Sequence, residues 1–139
     1  MENVIFQTTD KRILPDVVEM IKKSNIKEVD VKEMAYFIYK NLGNPETRLW
    51  VSFNGEKITG FLLAYIVYPV ISPEVFIAWA YVDPKEKGLA KQFHVSVENW
   101  AKSLKIKKIS AIVRKNLKAF QKSFGFNLEY YTVSKEVTI

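Results

Sequence analysis

Cysteine is absent from this 139-residue chain, and histidine occurs once, as His94. Those absences exclude disulfides, thiolate nucleophiles, cysteine–zinc sites and any multi-histidine metal centre. No metal cofactor is expected. Glycine and proline number five each, too few for a collagenous, low-complexity or linker-rich chain. Long apolar runs are also missing. The longest, over residues 61–71, contains Pro69 and is about half the length a membrane span needs. The opening MENVIFQTTDKR lacks the basic segment and apolar stretch of a signal peptide. The chain therefore reads as a soluble, cytoplasmic protein with no membrane partner.

What remains is ordinary globular material, with 48% apolar and 26% charged residues. At this length the chain is one domain, residues 1–139, large enough to bury a full core without staples. The net charge of +6 is unevenly placed. Residues 1–47 hold seven Lys/Arg against eight Asp/Glu, whereas residues 48–139 hold fourteen against seven. The excess of +7 in the later part favours an anionic partner: a phosphorylated ligand, nucleic acid or a membrane surface.

Periodicity gives the element order. A short β-rich run, Val4 to Thr8, precedes a helix whose apolar face is Leu14, Val17, Val18 and Ile21. A second helix is expected over 31–42, with Asp30 as N-cap, Glu33 at capping-box spacing, and Gly43-Asn44-Pro45 as the stop. Its buried stripe is Val31, Met34, Ile38 and Leu42. Strands follow over 49–53 and 57–68, joined by Asn54-Gly55, a strong hairpin signal. The nearly continuous apolar run over 75–82 predicts a strand buried on both faces, hence helices on both sides of the sheet. A helix over 88–104 has the stripe Leu89, Phe93, Val97, Trp100, Ala101 and Leu104. A strand over 107–113, a short helix over 116–123 and a last strand over 126–137 complete the order β-α-α-β-β-β-α-β-α-β. The fold class is α/β, with a mixed sheet (α+β in character) whose 75–113 segment requires a parallel crossover.

The joint at residues 82–92 carries the most chemistry. A buried strand ends there, and a helix opens near Gly88 with Lys85, Lys87 and Lys91 around its mouth. Uncompensated amides and the positive dipole end make such a mouth suited to an anion. The stretch Val82-Asp83-Pro84-Lys85-Glu86-Lys87-Gly88-Leu89-Ala90-Lys91-Gln92 resembles the acyl-CoA-binding motif of the GNAT superfamily of N-acetyltransferases, V-x-P-x-x-[RQ]-x-x-G-x-[GA]. Val113-Arg114-Lys115-Asn116-Leu117-Lys118-Ala119 is similar to the family's VRxNxxA segment, and Gly125-Phe126 to its GF. The likeness spans about residues 48–130.

The resemblance implies a GNAT-like fold, acetyl-CoA as acyl donor, and an acceptor amine on a small molecule or peptide. It places the backbone of Ala80, Tyr81 and Val82 beside the pantetheine arm, where two strands splay. Backbone amides of Lys87, Gly88, Leu89, Ala90, Lys91 and Gln92 would cradle the pyrophosphate, and Asn116 would hold the cofactor from the other side. The chain departs from the family pattern at several points. Lys87 stands for Arg or Gln, Ala90 and Gln92 stand at the glycine positions, and Ile112 stands where relatives carry glutamate. The last helix offers Phe120 or Gln121 where relatives have a tyrosine. Glu74 and Tyr81 are therefore the candidate catalytic groups, as base and hydroxyl donor, and Tyr130 and Tyr131 candidate acceptor contacts.

Bland alternatives stand beside these. His94 with Glu98 one turn on reads as a helix-surface pair, and Lys105 to Lys108 as dipole compensation at a helix end. Tyr36, Phe37 and Tyr39 read as core or a homodimer contact in preference to an acceptor pocket. At the level of the whole chain, two other functions remain open: a catalytically weakened CoA-binding or protein-interaction module, and a basic nucleic-acid-binding domain, although nucleic acid is not the expected partner.

Overall fold

A computed structural model of the chain describes residues 2–24, 30–112, 125, 126, 135 and 138. In chain order the elements are β1 (Val4–Gln7), a 3-10 turn (Lys11–Ile13), α1 (Leu14–Ser24), α2 (Val31–Asn41), β2 (Thr47–Asn54), β3 (Lys57–Val67), β4 (Glu74–Val82), α3 (Leu89–Ser103) and β5 (Ile109–Ala111). The strands form one sheet in the order β1-β2-β3-β4-β5. All neighbours are antiparallel except the β4–β5 pair, which is parallel. The expected helix over 116–123 lies outside the described residues, as does nearly all of the strand over 126–137.

Local chemistry accounts for the boundaries. Asp30 caps α2 by accepting from the amides of Lys32 and Glu33 at 2.9 and 3.2 Å. Gly43, with φ +91°, turns the chain out of the helix. Gly55 (φ +64°) makes the tight β2–β3 connection that Asn54-Gly55 predicts. At the far end of α3 the chain closes a Schellman motif: the Ile106 amide donates to the Ala101 carbonyl at 2.9 Å and the Lys105 amide to Lys102 at 3.0 Å. The left-handed position of that motif is held by Lys105, φ +57°, where glycine is usual.

Two cores lie on opposite faces of the sheet. Val17, Met20 and Ile21 of α1 and Met34 and Ile38 of α2 pack on Leu49, Val51, Phe61 and Leu63. On the other face Leu89, Phe93, Val97, Trp100 and Ala101 of α3 pack on Trp50, Leu62, Ala64 and Val75. The strand residues alternate between the clusters with period two, which fixes the register. Among the described residues no helix is long and apolar enough to cross a membrane.

Three expectations are corrected. Leu104 is 43% exposed, because α3 ends at Ser103 and the Schellman turn carries Leu104 off the apolar stripe. The core reading of Tyr36, Phe37 and Tyr39, though not the homodimer contact given beside it, is overturned: all three are exposed, because α2 buries the Met34–Ile38 face. β4 is not buried along its whole length either. Val75 is fully covered, the middle is half-buried and Ala80 is exposed. The cause lies in its partner strand.

Candidate functional site

β4 pairs with β5 only at Val75, Phe76 and Ile77, opposite Ile109, Ser110 and Ala111. From Ala78 to Val82 it pairs with β3 alone among the described strands. At about 3.3 Å per residue that is roughly 16 Å of strand whose β5-side main-chain groups are paired by no described strand. The fork coincides with a bulge: Leu63 opposes Trp79 and Ala64 opposes Ile77, which leaves Ala78 as the extra residue. Val82 and Ile77 pack toward α3, while Ala78, Trp79 and Tyr81 pack toward α1 and α2.

The open segment leads directly to the mouth of α3. Gly88 is the N-cap, at φ +79° and ψ −7°, and supplies no side-chain cap. The first helical bond runs from the Gln92 amide to the Gly88 carbonyl at 3.3 Å. The amides of Leu89, Ala90 and Lys91 therefore form the helix's positive end with no help from the cap residue. Lys85, Lys87 and Lys91 are exposed around them, as are Gly88, Ala90 and Gln92, while Leu89 anchors the turn in the core. The loop before Gly88 is held by the sheet. The Asp83 amide donates to the Thr59 carbonyl at 2.8 Å, the Glu86 amide to Asp83 at 2.9 Å, and Asp83 Oδ1 accepts from the Lys85 amide at 3.0 Å. A cradle of main-chain donors beside lysine charge, continuous with an open strand edge, fits an elongated ligand with a phosphate end and an amide-bearing arm.

The two candidate catalytic side chains sit apart. Tyr81 lies within the open segment, half-buried against the α1/α2 core. Glu74 begins β4, eight residues before Val82, or about 26 Å along the strand. It is not a solvated loop carboxylate: it is 6% exposed, and Lys108 Nζ lies 3.7 Å from its Oε1. That ion pair, with the Val75 amide donating to the Lys108 carbonyl at 3.0 Å, ties β4 to β5 at the closed end of the fork. His94 pairs with Glu98 at 2.7 Å along α3, as its spacing predicts. Asn116, Phe120, Gln121, Tyr130 and Tyr131 lie outside the described residues. Among the described residues no three His, Asp or Glu side chains group as metal ligands.

Sequence reasoning missed two contributors. One is an aromatic row on the α1/α2 side of the sheet, in which Tyr65 contacts Phe37 at 5.7 Å and Phe76 at 5.5 Å between ring centroids. Burial raises the Tyr65 phenol above its usual pKa. The other is the polar chain from the buried Ser52 and Thr59 through the half-buried Asn3 to Glu86. Its members come from three distant stretches, and no periodicity announces it.

The model of the acetyltransferase (GNAT) family matches residues 14–126. The chain belongs to that family. No curated protein is similar enough in sequence to match this acetyltransferase. Solved structures are similar in fold at low identity. A predicted acetyltransferase from Clostridium acetobutylicum, solved with acetyl-CoA, is 17% identical at TM-score 0.79, covering 97% of this chain and 96% of its own. The aminoglycoside 6′-N-acetyltransferase AAC(6′)-Ih from Acinetobacter baumannii is 16% identical at TM-score 0.81, covering 99% of both chains. AAC(6′)-Iy in complex with the bisubstrate analogue CoA-S-monomethyl-acetylneamine is 17% identical at TM-score 0.80, covering 100% of both chains. The GNAT fold of this acetyltransferase is thus shared along essentially its whole length.

Proposed function

We propose that this chain transfers an acetyl group from acetyl-CoA to a primary amine. The observation that carries the reading is the end of the described β4–β5 pairing at Ile77, which leads along β4 to an α3 mouth whose cap has no side chain. In this reading the main chain of Ala80, Tyr81 and Val82 hydrogen-bonds the pantetheine amides. The amides from Lys87 to Lys91 hold the pyrophosphate, with the charges of Lys87 and Lys91 adding attraction; the Gln92 amide, expected from the sequence to join them, donates to the Gly88 carbonyl instead. Asn116 steadies the ligand from the opposite side.

The donor supplies an activated thioester carbonyl. The neutral acceptor amine attacks it, a C–N bond forms, the C–S bond breaks, and one proton passes from the nitrogen to the departing sulfur. Positioning the two reactants accounts for much of such a rate. Tyr81 is the hydroxyl within the open segment and is assigned to the proton on the sulfur side. Glu74, held by Lys108 at the closed end, is assigned to keeping the fork's hinge in register. The acceptor belongs on the α1/α2 side of β4, the side that Tyr81 and Trp79 face, and is a small molecule or peptide amine.

A binding-only role is favoured by one observation. Ile112, where relatives have glutamate, is 63% exposed and offers no proton-transfer group. One experiment separates the readings: melting with and without acetyl-CoA, followed by thiol release across a panel of amines. A ligand at 100 times its Kd adds about 2.7 kcal/mol. Absence of any shift at millimolar acetyl-CoA refutes acetyl transfer and CoA binding and leaves the protein-interaction module, and a shift without thiol release supports the CoA-binding module.

A further inference from the structure

Glu86 places a carboxylate two residues before Gly88, at the mouth assigned above to a pyrophosphate. A free carboxylate there would be drawn to the positive end of α3 and its amides, in competition with any anionic ligand. The carboxylate is not free. Asn3 Nδ2, 83 residues away in sequence, donates to Glu86 Oε2 at 2.8 Å. Since a carboxylate only accepts, the amide nitrogen of Asn3 must face it, and Asn3 Oδ1 accepts from Thr59 Oγ1 at 2.5 Å. The single Thr59 hydroxyl proton is then spent, so Ser52 donates to Thr59 at 2.8 Å. Ser52 and Thr59 are fully buried. The result is a one-way relay, Ser52 to Thr59 to Asn3 to Glu86, anchored in β2 and β3. Thr59 also holds the same loop through its carbonyl and the Asp83 amide.

We infer that Asn3 is a positioning residue for anion binding, which parks the Glu86 carboxylate away from the α3 mouth. The inference rests on the acetyl-CoA reading above. It implies that a residue ahead of the first strand sets affinity at a loop it reaches only through space.

The test uses the full chain, with coenzyme A as titrant in calorimetry and acetyl-CoA in steady-state assays. Asn3→Ala is expected to weaken coenzyme A binding roughly 3–10-fold, the range a freed charge at a helix terminus supports. KM for acetyl-CoA should rise similarly while kcat holds. Adding Glu86→Gln to Asn3→Ala is expected to restore affinity, because it removes the competing charge. A merely structural role for Asn3 predicts no rescue, since the double variant lacks the hydrogen bond as well. Unchanged binding by Asn3→Ala, or a double variant as weak as the single one, overturns the inference. If Asn3→Ala does not fold, Glu86→Gln alone decides: it must bind coenzyme A at least as tightly as wild type, and weaker binding overturns the proposal. A wild-type chain that binds no coenzyme A refutes the underlying acetyl-CoA reading, and the inference with it. Tight wild-type binding with an unaffected Asn3→Ala refutes the inference alone.

Discussion

Gly60 is the position at which one added carbon reaches from the sheet into the site. It lies on β3 opposite both Ser52 of β2 and Val82 of β4. A Cβ placed there would meet Phe93 Cε2 at 3.0 Å, Ser52 Oγ at 3.1 Å and the Tyr81 carbonyl oxygen at 3.1 Å. None of the three retreats cheaply. Phe93 is 1% exposed in the α3 core, Ser52 is committed to Thr59, and the Tyr81 oxygen is main chain in the open segment of β4. Gly60→Ala should therefore cost about 1–3 kcal/mol, the usual range for overpacking. At about 4 °C per kcal/mol for a chain of this size, Tm should fall by roughly 4–12 °C. Because the displaced oxygen belongs to the strand proposed to receive the pantetheine arm, acetyl-CoA affinity should fall as well.

Gly88→Ala is the control. Its backbone sits at φ +79° but its Cβ would meet nothing within 4 Å. Its cost is therefore conformational only, about 1–2 kcal/mol. Urea denaturation and calorimetric titration of both variants check the reasoning. A Gly60→Ala chain of wild-type stability would show that β4 yields freely at Tyr81, and the argument from close approach would be refuted.

Other outcomes follow from single sites. Lys87→Ala, at an exposed residue of the α3 mouth, should weaken acetyl-CoA binding severalfold in titration while leaving the urea midpoint almost unchanged; a large stability loss contradicts its assigned role. Lys105→Gly relieves the left-handed strain in the Schellman turn and should raise stability by about 1 kcal/mol, since the strain removed exceeds the added freedom of the unfolded chain. Burial raises the Tyr65 pKa above 10.0. Its stabilising contribution is thus complete below about pH 10 and is lost as pH rises through the raised value. Tyr65→Phe should flatten that alkaline decline relative to wild type in urea titrations from pH 9 to 11.

The elements legible in the sequence are those whose signals are local. The Asp30 cap, the Asn54-Gly55 turn and the α3 stripe from Leu89 to Ala101 each depend on neighbours within one or two turns. The burial of β4 was legible only in part. A run of apolar residues reports that a strand can be covered, whereas its uncovering beyond Ile77 is decided by where β5 stops pairing. Leu104 fits the helical period yet lies past the helix end, because Lys105 takes up a conformation that lysine rarely adopts. Glu74 follows Ser72 and Pro73, which say nothing of its burial, and only the parallel pairing brings Lys108 to it. The mouth of α3 was readable because its chemistry is concentrated in one contiguous stretch. The relay that steadies it was not, since Asn3, Ser52, Thr59 and Glu86 meet only once the sheet has formed.

The Gly88 cap also bears on how such a protein can change over time. A ligand held by peptide N–H groups contacts the part of each residue that every residue except proline shares. At the positions from Leu89 to Lys91, side chains can be exchanged without removing a donor, provided the helix still starts at the same place and nothing bulky fills the mouth. What must persist is geometric: a residue that tolerates φ +79°, and a strand whose pairing with β5 ends at Ile77, eleven residues earlier. Function written in main-chain coordinates is thinly recorded in residue identity. Solved structures with TM-scores near 0.8 at 16–17% identity show how far sequence can differ while the fold is kept.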